Sequence, residues 1–150
     1  MAKWLVKTEP SDYSIDDLQF DKVTPWNGIR NFQARNFIRD QMTIGDEVFI
    51  YHSSCSKVGV VGIGRIASDK YADEDQFNSR SKYYDAKATK EEPKWFVIDI
   101  EFVAKASVLY PLKDMKQAAE LQDFALFKQS RLSVMPVTQQ QWQHILNKIQ

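Results

Sequence analysis

The stretch "VGVVGIGRI", Val58 to Ile66, decides between two folds. Its glycines, Gly59, Gly62 and Gly64, are spaced like a weak phosphate loop, but such a loop needs its glycines between a strand and a helix. Here they lie inside the apolar run itself. Glycine within an apolar strand marks a bend, a bulge or a close backbone approach, so the stretch is a strongly bent strand. Immediately upstream, "GDEVFIYHS" (Gly45 to Ser53) is a second strand, joined to the first by the polar loop "SSCSK". Further out, "WFVIDIEFVA" alternates Phe96, Ile98, Ile100 and Phe102 with Val97, Asp99 and Glu101, the period of two that a strand requires. "KWLVK" at Lys3 to Lys7 is a short strand ended by "TEPSD", where Pro10 removes a backbone donor.

Helices flank these strands. Ser14 caps a brief one, "SIDDLQF", with Asp16 and Asp17 in its first turn, where carboxylates favour the dipole. From Arg30 to Met42, Ala34, Phe37, Ile38 and Met42 fall on one side at steps of three and four, and Asn31, Arg35 and Arg39 on another. A helix is expected through "LKDMKQAAELQ", a shorter one near "FALFKQ", and a turn at "LSVMP", Leu132 to Pro136. Thr138 and Gln141 form a capping box for a C-terminal helix with Trp142, Ile145, Leu146 and Ile149 on one face. Residues 67 to 94 form a long polar connection. With no linker or repeat, residues 1–150 are expected to be one unit of the α+β class, a bent sheet or small barrel with helices packed on it.

Composition narrows the function. Lys+Arg 20 balances Asp+Glu 20, so any site for a polyanion must be local. The lone Cys55 makes no internal disulfide, and the N-terminal apolar run is too short for a signal peptide or a span, so a soluble cytoplasmic protein without membrane contact is expected. His52 and His144 are far apart and Cys55 has no partner at a ligand spacing, so neither metal nor cofactor is expected. His52 shares a strand face with Ser54, and a nucleophile paired with a base there, or at Cys55, would make an enzyme.

The segment "WNGIRNFQARNFIR", Trp26 to Arg39, gathers Arg30, Arg35 and Arg39 with Asn31 and an indole, and holds no carboxylate. Guanidinium forks match phosphate oxygens or base edges, side-chain amides read bases, and an aromatic plane captures an unstacked base. The same residues fit a blander description, with Trp26 in the core and Arg35 and Arg39 on a solvated face paired with Asp40 or Glu47. "YYDAK" (Tyr83 to Lys87) is a second aromatic, basic cluster in the long connection, and Lys7, at the end of the first strand, and Ser133, in the "LSVMP" turn, are further candidates.

Read together, "WLVKTEPSDYSIDDL", "WNGIRNFQARNFIR", "GDEVFIYHSS", "YYDAK", "PKWFVIDIEF" and "LSVMPVT" resemble, in order and spacing, the EVE domain. The resemblance implies a PUA-like bent β-barrel with flanking helices, related to YTH and ASCH domains. It further implies a non-catalytic reader of a modified base in DNA or RNA, chiefly modified cytosine, flipped into an aromatic, arginine-lined pocket. By that comparison Trp26 and Gly28 belong to the pocket, Lys7 and Thr8 border its floor, and Asn27 presents backbone to the base. Tyr83 and Tyr84 would supply the opposite wall, and Tyr51, His52 and Ser53 would line the cavity from the second strand. Family members often carry an acidic residue where this chain has Asn27. An enzyme acting on a nucleotide in the same pocket is the alternative, and a protein-interaction role for residues 67 to 94 a third.

Overall fold

The structure, a computed structural model, describes all of residues 1–150. Strand β1 (Lys3–Thr8) lies one strand in from an edge of the sheet, parallel to β3 (Glu47–His52) and antiparallel to the edge strand β7 (Val134–Val137). A strand covered on both faces buries consecutive residues, and Trp4, Leu5 and Val6 are all buried. Beyond β3 lie β4 (Gly59–Ile66), the 16-residue β6 (Phe96–Pro111) and, at the far edge, β2 (Val23–Trp26); β5 (Tyr71–Ala72) pairs with β6 off this path. The strand order is β2-β6-β4-β3-β1-β7.

The glycine reading of β4 has a physical basis in packing. A Cβ at Gly62 would lie 2.5 Å from Ile15 Cδ1 and 2.8 Å from the Ala104 carbonyl oxygen. The pairing of β4 with β6 shifts register between Val60 and Gly62 and again between Ile63 and Gly64. Here the sheet bends and α1 (Ile15–Asp21) lies close against it. The bend does not close a barrel, however. β2 and β7 end the hydrogen-bonded order without pairing to each other, and each is a four-residue strand containing a proline, Pro25 or Pro136, which cannot donate to a further ladder. The sheet is therefore open and bent, which corrects the closed-barrel expectation while leaving the α+β class intact.

Capping organises the helices as their sequences imply. Ser14 and Asp17 form a reciprocal box at α1, Asn31 accepts from Ala34 N–H at the start of α2 (Phe32–Asp40), and Thr138 with Gln141 caps α5 (Gln139–Ile149). Trp142 of α5 stacks on Phe49 with ring centroids 3.8 Å apart. The expected helix over residues 112–122 is broken into α3 (Leu112–Met115) and a 3-10 turn at Ala119–Leu121, because Ala118 is extended (φ −77, ψ 126). A further short helix, α4 (Ala125–Lys128), precedes β7. Val134 to Pro136, expected as a turn, instead joins the sheet beside β1.

Residues 67 to 94 are ordered around one side chain. Gln76 is fully buried: its amide donates to the Asp73 and Trp95 carbonyls at 2.8 Å each, and its oxygen accepts from Lys94 and Trp95 N–H at 2.8 and 3.0 Å. A polar side chain that satisfies four backbone groups continues the short β5–β6 pairing into a stretch that has no further ladder.

Candidate site at the end of β1

The C-terminal ends of β1 and β2, which are not paired in the sheet, both border a cavity of about 430 Å³. Lys7 and Thr8 enter it from β1, Glu9, Asp12 and Tyr13 from the following turn, and Trp26 and Asn27 from the end of β2. The turn is tight because the Glu9 carbonyl accepts from both Asp12 and Tyr13 N–H at 2.9 Å, and Thr8 Oγ1 donates to the Tyr13 carbonyl at 2.7 Å. Trp26 is both core and cavity wall: only 7% of it is exposed, and Tyr13 meets its ring edge-on at 6.2 Å. Burial lowers the Lys7 ammonium pKa from its ordinary value, and Lys7 Nζ donates to the Ser130 carbonyl at 2.9 Å.

Tyr83 closes the cavity from the 67–94 segment and is locked there. Gly28 has φ +77, and a Cβ on it would sit 3.0 Å from Tyr83 Cζ, so glycine is required both by the backbone and by the ring above it. Asp73, buried, accepts from Gly28 N–H at 2.9 Å and from Arg30 Nη1 at 3.1 Å. Arg30 in turn donates to the Tyr83 carbonyl through Nε and Nη2 at 3.1 and 2.9 Å, with its guanidinium between the rings of Tyr83 and Trp95 at 5.2 and 5.3 Å. Asp73 carries no sequence signal of this role; only the fold brings it under Gly28.

Several expected site residues are occupied elsewhere. Arg30 is spent on the Tyr83 wall, so the cavity is not lined by arginine. Asn31 is a helix cap. Arg35 donates to the Lys94 carbonyl at 2.8 Å and lies over Phe32 and Trp95, while Arg39 forks onto Asp40 with two bonds of 2.8 Å. Tyr84 is 45% exposed and does not line the cavity; its neighbour Tyr83 forms the wall. Tyr51 is buried outside the lining, and burial, with Cys55 nearby, pushes its phenol up to about 12. Ser53 donates its N–H to the Thr8 carbonyl at 3.0 Å, and the Ser133 carbonyl accepts from Lys7 N–H at 2.9 Å, so both brace β1 by backbone.

His52 also departs from expectation. Its Nε2 accepts from Ile15 N–H at 3.0 Å, capping α1, and burial lowers its pKa. Together with Cys55, Asp16 and Lys105 it borders a separate cavity of about 500 Å³, not the one at Trp26. The base of the supposed dyad has its lone pair committed to a helix end. No group of three or more His, Cys, Asp or Glu side chains is placed to hold a metal ion.

Thymocyte nuclear protein 1 of Gallus gallus is 37% identical over 96% of this chain and 67% of its own length. A Pseudomonas syringae protein of known structure superposes with a TM-score of 0.93 at 47% identity, covering 99% of this chain and 100% of that one. The human THYN1 protein, solved in complex with DNA containing 5-methylcytosine, superposes with a TM-score of 0.93 at 33% identity over 100% of this chain and 98% of that one. The model of the EVE domain matches residues 2–148, and with β1, the capped α1, the Trp26 turn and the Tyr83 segment all inside that match, the chain belongs to the EVE domain family.

Proposed function

We propose that this protein is a non-catalytic module that captures one extruded, modified base of DNA, a modified cytosine, in the cavity between Trp26 and Tyr83. The observation that supports this most directly is the cavity itself, in which the aromatic residues Tyr13, Trp26 and Tyr83 line the same space as Lys7, Thr8, Glu9 and Asp12. Aromatic surface compensates a base for lost stacking, at ~1–3 kcal/mol per contact. Extrusion costs a few kcal/mol, so stacking alone only balances it. Carboxylates accept from the cytosine N4 amino group and find no donor on the O4 of thymine, which favours cytosine over thymine at that position. A methyl group on the base that fills residual space adds roughly 0.8 kcal/mol, a several-fold preference. The human relative's complex with DNA containing 5-methylcytosine agrees in ligand chemistry.

The test is a fluorescence-anisotropy titration of labelled oligonucleotides that differ only in one cytosine, unmodified or 5-methylated. The native protein is expected to favour the methylated strand several-fold, and Trp26→Ala to lose that preference while keeping weaker, salt-sensitive binding. Full preference retained in Trp26→Ala would place the base elsewhere.

A further inference from the structure

The arginines between Trp26 and Arg39 are bonded to the protein's own groups, and this changes which cations are free to meet a ligand. Of the six arginines in the chain, Arg30 is bound to Asp73 and Tyr83, Arg35 to Lys94 and Asn36, Arg39 to Asp40, and Arg65 to Glu101. Arg80 and Arg131 remain, both exposed and in no ion pair or side-chain hydrogen bond.

Both are carried by segments fastened to residues that line the Trp26 cavity, Arg131 next to the Lys7 contacts and Arg80 on the turn that ends in Tyr83. Arg131 lies between Ser130 and Ser133, whose carbonyls accept from Lys7 Nζ and Lys7 N–H at 2.9 Å each. Arg80 begins the turn that ends in Tyr83: Tyr83 N–H donates to Ser81 Oγ at 3.0 Å, and Arg80 N–H to Asn78 Oδ1 at 3.0 Å. Lys82 Nζ, also exposed and outside any ion pair, sits 5.1 Å from the centroid of the Tyr83 ring. Between these flanks the cavity presents Glu9 and Asp12, which repel a phosphate. Neutral base inside and anionic backbone on either side is the distribution that such a charge pattern selects.

We infer that Arg80 and Arg131 are the phosphate-binding residues of this protein, gripping the nucleic-acid backbone on the two sides of the captured base, with Lys82 beside Arg80. The inference rests on the base-capture reading above. Contacts of this kind are sequence-independent, so they set affinity and salt dependence and leave the choice of base to the cavity.

The experiment measures binding of the methylated and unmodified oligonucleotides from about 50 to about 200 mM salt for the native protein, Arg80→Gln, Arg131→Gln and Arg39→Gln, with thermal melts to confirm folding. Each of the first two is expected to weaken binding of both oligonucleotides by the same factor and to flatten the slope of log affinity against log salt by about 0.7–0.9. Arg39→Gln, whose charge is already matched by Asp40, is expected to leave the slope unchanged. A native slope retained in both Arg80→Gln and Arg131→Gln, with base preference intact, overturns the phosphate assignment alone. Flattened slopes without any preference for the methylated strand would keep the phosphate assignment and overturn base capture. No binding by the native protein at low salt overturns both.

Discussion

At the scale of the residue, His52 shows how a side chain that looks chemical is used structurally. Its neutral Nε2 is the acceptor for the first free amide of α1, and burial holds its pKa below the ordinary 6.5. Protonation removes that lone pair and places a charge in a half-buried site. On acidification the unfolded chain therefore takes up its proton first. The stability contributed by His52 is complete above the ordinary histidine value and is lost as pH falls through 6.5 and on through the lower folded value. His52→Gln keeps an acceptor and removes the titration. Urea midpoints at about pH 7 and about pH 5 should converge in that variant relative to the native protein. An equal acid-induced loss in both proteins would assign the effect to other groups. Arg30 makes the same point differently. Its guanidinium fork fits a phosphate, yet it is satisfied by Tyr83 and Asp73, because a buried carboxylate 43 residues away needs a cation.

At the scale of the element, what could be read in the sequence was what local physics controls. The glycines of β4, the alternation in β6, the capping boxes at Ser14 and Thr138 and the stripe of α5 all depend on neighbours a few residues away, and each is present. β2 and β7 were not legible, since four-residue strands containing Pro25 and Pro136 are defined by their partners in β6 and β1 and not by their own pattern. The 67–94 segment was legible only as long and polar. Beyond the short β5–β6 pairing it is fastened by Gln76, whose amide group bonds two backbone carbonyls and two backbone N–H groups. Gln76→Leu leaves those groups buried and unpaired, at ~1–3 kcal/mol for each that water cannot reach. We expect a loss of about 3 kcal/mol in global stability, or else selective exposure of the Lys94 and Trp95 amides to hydrogen exchange. Because Tyr83 belongs to the same segment, base preference should fall along with amide protection. Native exchange rates at both amides would show that the segment is held by other contacts.

At the scale of the whole molecule, the balance of 20 basic and 20 acidic residues limits how this protein meets a polyanion. That much was visible in composition, whereas the identity of the free cations was not, since it depends on which arginines the fold neutralises. Four cations lie at or beside the cavity: Lys7 in its lining, Arg80 and Lys82 on the Tyr83 turn, and Arg131 next to the Lys7 contact. Lys7 is half-buried and donates to Ser130, leaving about three to meet phosphates. The slope of log affinity against log salt should then be about −2 to −3, and affinity should fall about 15- to 60-fold between about 50 and about 200 mM salt. A protein with a long basic groove contacting 6–10 phosphates loses about a thousandfold or more over the same range. Anisotropy titrations at four salt concentrations separate the two regimes. A slope steeper than about −6 would mean that the backbone runs well beyond the Arg80 and Arg131 flanks, across surface that carries further exposed lysines such as Lys57, Lys87 and Lys113.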